Sequence, residues 1–189
     1  MLFEEALHDL LEFFGLLGGA LEKEAPELGD SLMFVSPKAF MYRIPRDMRY
    51  SKNKEPYNPS FRAFLSPFKK DFLPFSYYVH FAHDGCFMGT GVWTWLPQQV
   101  NTLRSYIARN YEELDMLVAE GGFFLTGDKL KRMPRGYEDD HPAGEWLKHK
   151  SFFVNYTFSP EDLSSFDACA SAAAAAMPKA VFVISFLVP

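Results

Sequence analysis

Cysteine is scarce, with Cys86 and Cys169 the two in 189 residues, and they share no motif. That excludes a disulfide scaffold and suits a reducing compartment, with each thiol read as a small buried hydrophobe. Long apolar runs are missing too. None approaches the roughly 20 residues that a spanning helix needs, and Met1 to His8 carries acids where a signal peptide has its basic region. The chain therefore reads as soluble, cytoplasmic and without a membrane partner. There is no glycine-rich phosphate loop, since Gly89-Thr90-Gly91 falls inside a predicted strand, and no G-x-S-x-G elbow to activate a serine. Basic residues are outnumbered, 19 Lys and Arg against 24 acids for a net charge of -5. Such a balance argues against general nucleic-acid binding, which relies on a broad cationic surface.

Aromatic residues are abundant. With 20 Phe, 9 Tyr and 3 Trp in a chain that is 48% hydrophobic, a sizeable core is within reach of a single domain spanning 1–189. Leu2, Ala6, Leu7, Leu10, Leu11, Phe14, Leu17 and Leu21 recur at helical spacing, with Gly18 and Gly19 weakening the later part and Pro26 and Gly29-Asp30 ending it. Short strands are predicted over 32–35 and 40–44 about a Ser36-Pro37 turn. Ser76 to Trp95 is the clearest local signal, two aromatic and β-branched runs about Asp84-Gly85, which predicts a hairpin with His83 opposite Cys86. In that register Tyr77, Val79, Phe81, Met88 and Val92 face the core. The other face holds Tyr78, His80 and Phe87, with Gly89 opposite His80 and Gly91 opposite Tyr78, leaving a trough open either to packing or to a ligand.

Pro97 opens a second amphipathic helix marked by Val100, Leu103, Ile107, Tyr111, Leu114 and Val118 and closed by Gly121-Gly122. Asp140 is placed to cap a short helix through Trp146 and Leu147. Ser151 to Phe158 alternates like a strand, and Ser159-Pro160-Glu161-Asp162 opens a helix through Cys169 and the alanines 172–176. The stretch 181–188 is open between strand and helix. Together these elements predict an α+β fold, a mainly antiparallel sheet packed with amphipathic helices.

Charge concentrates in two places. Residues 1–30 carry eight acids and one Lys, but Lys38 to Lys54 holds six cations and one acid, Asp47. Pro45, Pro56 and Pro59 exclude a helix interior there. Arg43, Arg46 and Arg49 offer planar forks for carboxylate or phosphate oxygens, and Lys52 and Lys54 add point charges. Asp47 and Arg49 project on one side of an extended chain, so the acid can orient the guanidinium groups. Lys129 to Tyr137 is a second cluster, from which Lys131, Arg135, His141 and Lys150 are the candidate ligand groups, with backbone at Gly136 free to approach a phosphate. His141 follows Asp140 and reads either as part of a cap and turn or as an acid-base pair. His80, His83 and Cys86 resemble a metal string, but the hairpin puts His80 on the other face, and zinc needs convergent ligands. No metal or cofactor is expected.

The order Arg43, Ile44, Arg46, Asp47, Arg49, Tyr50, Ser51, Lys54, Pro56 and Tyr57 resembles the pattern R-I-x-R-D-x-R-[FY]-S-x-x-K-x-P-Y of a bacterial conserved-hypothetical family, domain of unknown function twenty-four sixty-one. Leu130, Lys131, Arg132, Pro134, Arg135, Gly136, Tyr137, Asp140, His141 and Pro142 resemble its later L-K-R-x-P-[RK]-G-[FY]-x-x-D-H-P, and Leu147, Lys148, Lys150 and Ser151 its L-K-x-K-S. The resemblance spans nearly the whole chain. It implies an α+β domain with a helical tail, and it brings no established activity. Family members usually begin with a helical segment carrying E-W-F, absent here, so the resemblance leaves open whether the natural start lies upstream of Met1.

Three functions fit these residues. The leading expectation is a pocket formed by both cationic motifs for a phosphate- or carboxylate-bearing small molecule, or such a group at the end of a larger one, with Arg43, Arg46, Arg49, Ser51, Lys54 and Tyr57 on one side and Lys131, Arg135, His141 and Lys150 on the other. The second is an enzyme using Asp47 or His141 as general acid or base on that ligand. In the third, an interaction or scaffold protein, the Arg-Asp network is a structural tie.

Overall fold

The computed structural model describes residues 2–24, 41–47, 49, 50, 52, 54–65, 76–92 and 97–187. The strand expected over 32–35, the turn at Ser36-Pro37, the breaks at Pro26 and Gly29-Asp30, Ser51, and Trp93 to Trp95 lie outside these residues.

The apolar spacing near the start forms α1 (Leu2–Glu24), which continues through Gly18 and Gly19. Phe13, Phe14 and Leu17 are buried, and Phe13 meets Phe81 edge-on at 5.5 Å between ring centres. Burying such side chains contributes about 1.5–3 kcal/mol each, more than the roughly 1 kcal/mol that each helical glycine costs. The packed stripe decides the outcome.

The second helix, α2 (Pro97–Glu120), buries Val100, Leu103, Ile107, Leu114 and Val118 as the spacing predicts. It kinks at Asn110 (φ -132°, ψ 22°), where the side-chain amide donates to the Tyr106 carbonyl at 2.9 Å and so competes with the helical ladder. Gly122 ends it at φ +67°. Phe123 N–H donates to Val118 O and Gly122 N–H to Ala119 O, the paired bonds that satisfy the last carbonyls of a helix.

Five strands pair among the described residues: β1 (Ser60–Leu65), β2 (Ser76–Ala82), β3 (Gly85–Val92), β4 (Phe124–Thr126) and β5 (Phe152–Thr157). Their order is β1-β2-β3-β5-β4, antiparallel throughout. Sequence reading missed β1 and β4. Alternation sends Ala63, Tyr77, Val79, Met88, Phe152 and Val154 into the core, and helices cover that face. The last helix, α4 (Phe166–Leu187), packs against α1, α2 and β3, with Ala173, Ala176 and Ala180 buried where small side chains permit close approach. It starts later than expected, because Ser159 and Asp162 close a turn on each other and Ser165 Oγ accepts from Ala168 N–H as the actual cap. The stretch 181–187 is helical. The architecture is α+β, a helix layer on one face of an antiparallel sheet.

The hairpin is present with its register displaced by two residues. Ala82 pairs with Gly85 about a His83-Asp84 turn, so Phe81 faces Cys86, Tyr78 faces Gly89 and Ser76 faces Gly91. A two-residue slip preserves both faces. Cross-strand packing explains it, since His80 now lies opposite Phe87 and their rings stack at 4.9 Å, a partner that Gly89 would not supply. His80 and Cys86 are on opposite faces, as expected. Both cysteines are free thiols, Cys169 buried and Cys86 half-buried. Burial, with smaller contributions from Cys86 and Asp162, pushes the Cys169 thiol up to about 11.

Candidate functional site

The first cationic segment is an extended arm on the outer edge of β1. Met41 bridges Ala63 and Tyr42 N–H donates to Arg62 O at 2.9 Å. Further out the arm folds on itself, with Pro45 bridging Tyr57, Arg46 N–H donating to Pro56 O at 2.9 Å and Asn58 N–H to Ile44 O at 2.8 Å. The prolines sit where a strand edge spares their missing N–H. Asn58 Nδ2 secures the base by donating to Arg43 O at 3.0 Å.

Within this arm the arginines divide. Arg49 is held by Asp47 through Nε to Oδ1 at 2.9 Å and Nη2 to Oδ2 at 2.6 Å, and its backbone N–H reaches Oδ1 at 3.1 Å. The Arg49 fork holds the Asp47 carboxyl below its ordinary value and Asp47 raises Arg49. Both are exposed, so the pair adds little to stability. Arg43 and Arg46 line a hollow of about 420 Å³ with Tyr42, Asp47, Asn58 and Arg62. Glu55 stands 4.0 Å from Arg46. Lys54 and Tyr57 are exposed on the returning strand of the arm, and Tyr50, 93% exposed, is near the tip.

Beside the hollow a larger trough of about 660 Å³ opens on the sheet face away from the helices. Tyr42 and Arg62 border both spaces. From β1 to β5 the floor is Phe64, Tyr78, His80, Phe87 and Phe153, and Thr126 and Gly127 close the far end. Gly89 lies beneath neighbouring side chains, since a Cβ there would meet Asn155 Oδ1 and a Phe153 ring carbon. At Gly91 the backbone of β5 approaches directly. Packing thus accounts for both glycines, and the open volume is built from the residues around them.

The trough is apolar with a few placed polar atoms. Tyr78 Oη and His80 Nδ1 are 3.1 Å apart. Burial, and to a lesser extent Arg62, lowers the His80 pKa against the pull of Asp84, so the imidazole is neutral at physiological pH. Burial raises the Tyr78 phenol. The Arg62 guanidinium lies 5.4 Å from the centre of the Tyr42 ring, while its buried Nε has no hydrogen-bond partner among the described residues, nor has Asn155 Oδ1. Sequence reading missed Arg62 and Asn155. The signal for Arg62 was available, because Phe61, Ala63 and Leu65 alternate around it and a strand so patterned turns Arg62 and Phe64 to the other face.

The second segment starts at the other sheet edge. Lys129 bridges His149, Leu130 N–H donates to Lys148 O and Lys150 N–H to Asp128 O, prolonging the β4–β5 pairing. Lys129 forms an ion pair with Glu145 and Lys150 stands 3.9 Å from Asp128. Lys131 and Arg135 are exposed, and Gly136, at φ +93°, has open space around it. Opposite edges of five flat strands lie about 19 Å apart. None of Lys131, Arg135, His141 and Lys150 is among the described residues lining the hollow or the trough. Asp140 does not cap the short helix α3 (Gly144–Leu147), whose cap residue is Ala143 without a side-chain bond. His141 closes the turn that precedes the helix, its Nδ1 accepting from Ala143 N–H at 3.1 Å.

What orders this segment is a buried residue that sequence reading left out, Arg104 of α2. Its Nε donates to Leu147 O and its Nη2 to His149 O, both at 2.8 Å. His149 is buried with neither ring nitrogen hydrogen-bonded among the described residues. Burial, then the Lys129 ammonium, depresses its pKa. Backbone at Thr126 and Ser151 and the Glu145 carboxylate oppose this electrostatically, without good hydrogen-bond geometry to the ring. The unfolded chain takes up this proton near 6.5 and the folded chain only at lower pH, so stability is full above 6.5 and falls as the pH drops toward the folded value. Urea unfolding between about pH 7.5 and 5.5 should show that decline, with a shallower slope in His149→Leu. Equal slopes would place the acid sensitivity elsewhere, His80 being the next group.

These features define an α+β protein with a helix-covered sheet face and, on the opposite face, an aromatic trough with an arginine-lined end. The chain belongs to the conserved hypothetical protein family DUF2461, whose model it matches over residues 2–186. No curated protein and no solved structure matches it. Among the described residues no helix is long and apolar enough to cross a membrane, and no three His, Cys, Asp or Glu side chains are grouped to hold a metal ion.

Proposed function

We propose that this protein binds an anionic small molecule, phosphate- or carboxylate-bearing, in the bacterial cytoplasm. The observation that carries the reading is the gathering of Arg43, Arg46 and Arg62 around one hollow, three guanidinium groups where Asp47 is already engaged by Arg49. Arginine forks bind such oxygens in pairs. Asp47 lines the hollow while held by Arg49, and Lys54 and Tyr57 stand on the arm that supports it. Lys131, Arg135, His141 and Lys150, at the far edge of the sheet, take no part in this reading, since charge is screened over about 8 Å in physiological salt. Two free thiols suit a reducing compartment.

The test is a melting experiment with sodium phosphate and sodium citrate against sodium chloride at equal ionic strength. A ligand at about 100 times its Kd stabilises the folded state by roughly 2.7 kcal/mol, a rise of several degrees. Arg46→Gln should reduce the response and weaken binding by about tenfold or more, since a charge-assisted hydrogen bond is worth roughly 1.5–3 kcal/mol. Equal melting in all three salts would reject the reading. The structural-tie reading keeps support from the Asp47–Arg49 pair and predicts instead that Arg46→Ala lowers thermal stability with no anion response in either chain. For catalysis, Asp47 is a poor general base while both its oxygens accept from Arg49 and its basicity is lowered.

A further inference from the structure

We infer that the trough is a second compartment of the same site, taking the flat apolar body of a ligand whose anionic group sits at Arg43 and Arg46. The ligand class is a small aromatic anion, a ring system bearing a carboxylate or phosphate. This rests on the anion reading above and goes further by assigning the trough and the non-ionic part of the molecule.

Adjacency comes first. Tyr42 and Arg62 line both spaces, so the two adjoin across this pair of side chains and a ligand spanning them lies over it. Size comes next. A volume of about 660 Å³ falls in the range of small-molecule sites, roughly 300–1,000 Å³, and far exceeds what an inorganic anion fills. The lining sets the shape. His80 and Phe87 stack at 4.9 Å with 15° between their planes, and Tyr78 lies 5.8 Å from Phe87. Aromatic rings grouped in this way suit a planar partner by offset or edge contacts.

Two polar groups mark the lining. Arg62 Nε is a donor and Asn155 Oδ1 an acceptor, both buried in residues that line the trough and both without a hydrogen-bond partner among the described residues. Buried polar atoms are nearly always satisfied, and these two are shielded from solvent by the protein itself. A ligand with an acceptor near Arg62 and a hydroxyl or amine donor near Asn155 satisfies both once the two side chains turn toward it. His80 is neutral, which leaves Arg62 as the trough-lining cation among the described residues. The charge preference is therefore confined to the end shared with the hollow.

Calorimetric titration of the wild-type chain with four probes separates the compartments: sodium phosphate, 2-naphthyl phosphate, 2-naphthoate and neutral 2-naphthol. Both naphthyl anions should bind at least tenfold more tightly than phosphate and than 2-naphthol. Arg46→Gln should weaken all three anions. Asn155→Leu should weaken the anion carrying an added ring hydroxyl, 6-hydroxy-2-naphthoate, by at least threefold relative to 2-naphthoate, leaving phosphate unchanged.

If phosphate and the naphthyl anions bind equally and Arg46→Gln weakens them all, the trough assignment is overturned and the anion site stands. Binding of 2-naphthol as tight as that of 2-naphthyl phosphate would overturn the coupling of the two compartments. Absence of binding by every probe overturns the anion reading itself. Phosphate binding without naphthyl binding, together with a dimer in sedimentation, would assign the trough to a second copy of the chain and overturn the inference. The wild-type series decides even where a variant does not fold.

Discussion

Arg104→Met is expected to destabilise the fold by about 3–5 kcal/mol, lowering the melting temperature by roughly 10 °C. Arg104 is 8% exposed, and its guanidinium joins α2 to the second cationic segment through the carbonyls of Leu147 and His149. Methionine fills similar volume but donates nothing. Two buried carbonyls would then lose charge-assisted partners, and Leu147 O is at a helix end where no intrahelical donor replaces the loss. Burial lowers the Arg104 pKa, yet arginine starts so high that it stays charged. Arg104→Lys keeps the charge without the fork and should fall between the two. Urea unfolding measures the series, and a loss below about 1 kcal/mol in Arg104→Met would mean that other donors satisfy both carbonyls.

Gly91→Ala is expected to be at least as damaging, costing about 3 kcal/mol or more or preventing soluble expression. Its φ of +134° is one that L side chains rarely adopt, and a Cβ there would collide with Phe152 O and lie 2.8 Å from Phe153 Cα. Both are backbone atoms of the adjacent strand, so relief would require parting β3 from β5. Gly136→Ala is the control. It has a positive φ of +93° but nothing within 4 Å of the new atom, and should cost only about 1–2 kcal/mol. Equal losses at the two positions would show that backbone strain alone accounts for Gly91.

Local elements were readable where one periodicity dominated. α1 and α2 repeat at helical spacing, and the hairpin alternates, so burial of Phe14, Leu17, Leu103, Ile107, Val79 and Met88 followed. The hairpin register did not, because turn preference and cross-strand packing disagreed by two residues and the His80–Phe87 stack prevailed. β4 is three residues long, too short to display a period. The arm's extended course followed from its prolines, and the Asp47–Arg49 pairing from their two-residue spacing.

Sequence by itself determined the α+β class, the cationic arm and the acid built into it, because propensity, periodicity and proline geometry act over a few residues. Tertiary structure decided which cations share a space. It set Arg62 beside Arg43 and Arg46, gave Arg104 to the Leu147 and His149 carbonyls, and placed the two basic segments at opposite edges of the sheet. Those relations depend on strand order and on which buried polar atoms find partners, neither of which is encoded in local spacing.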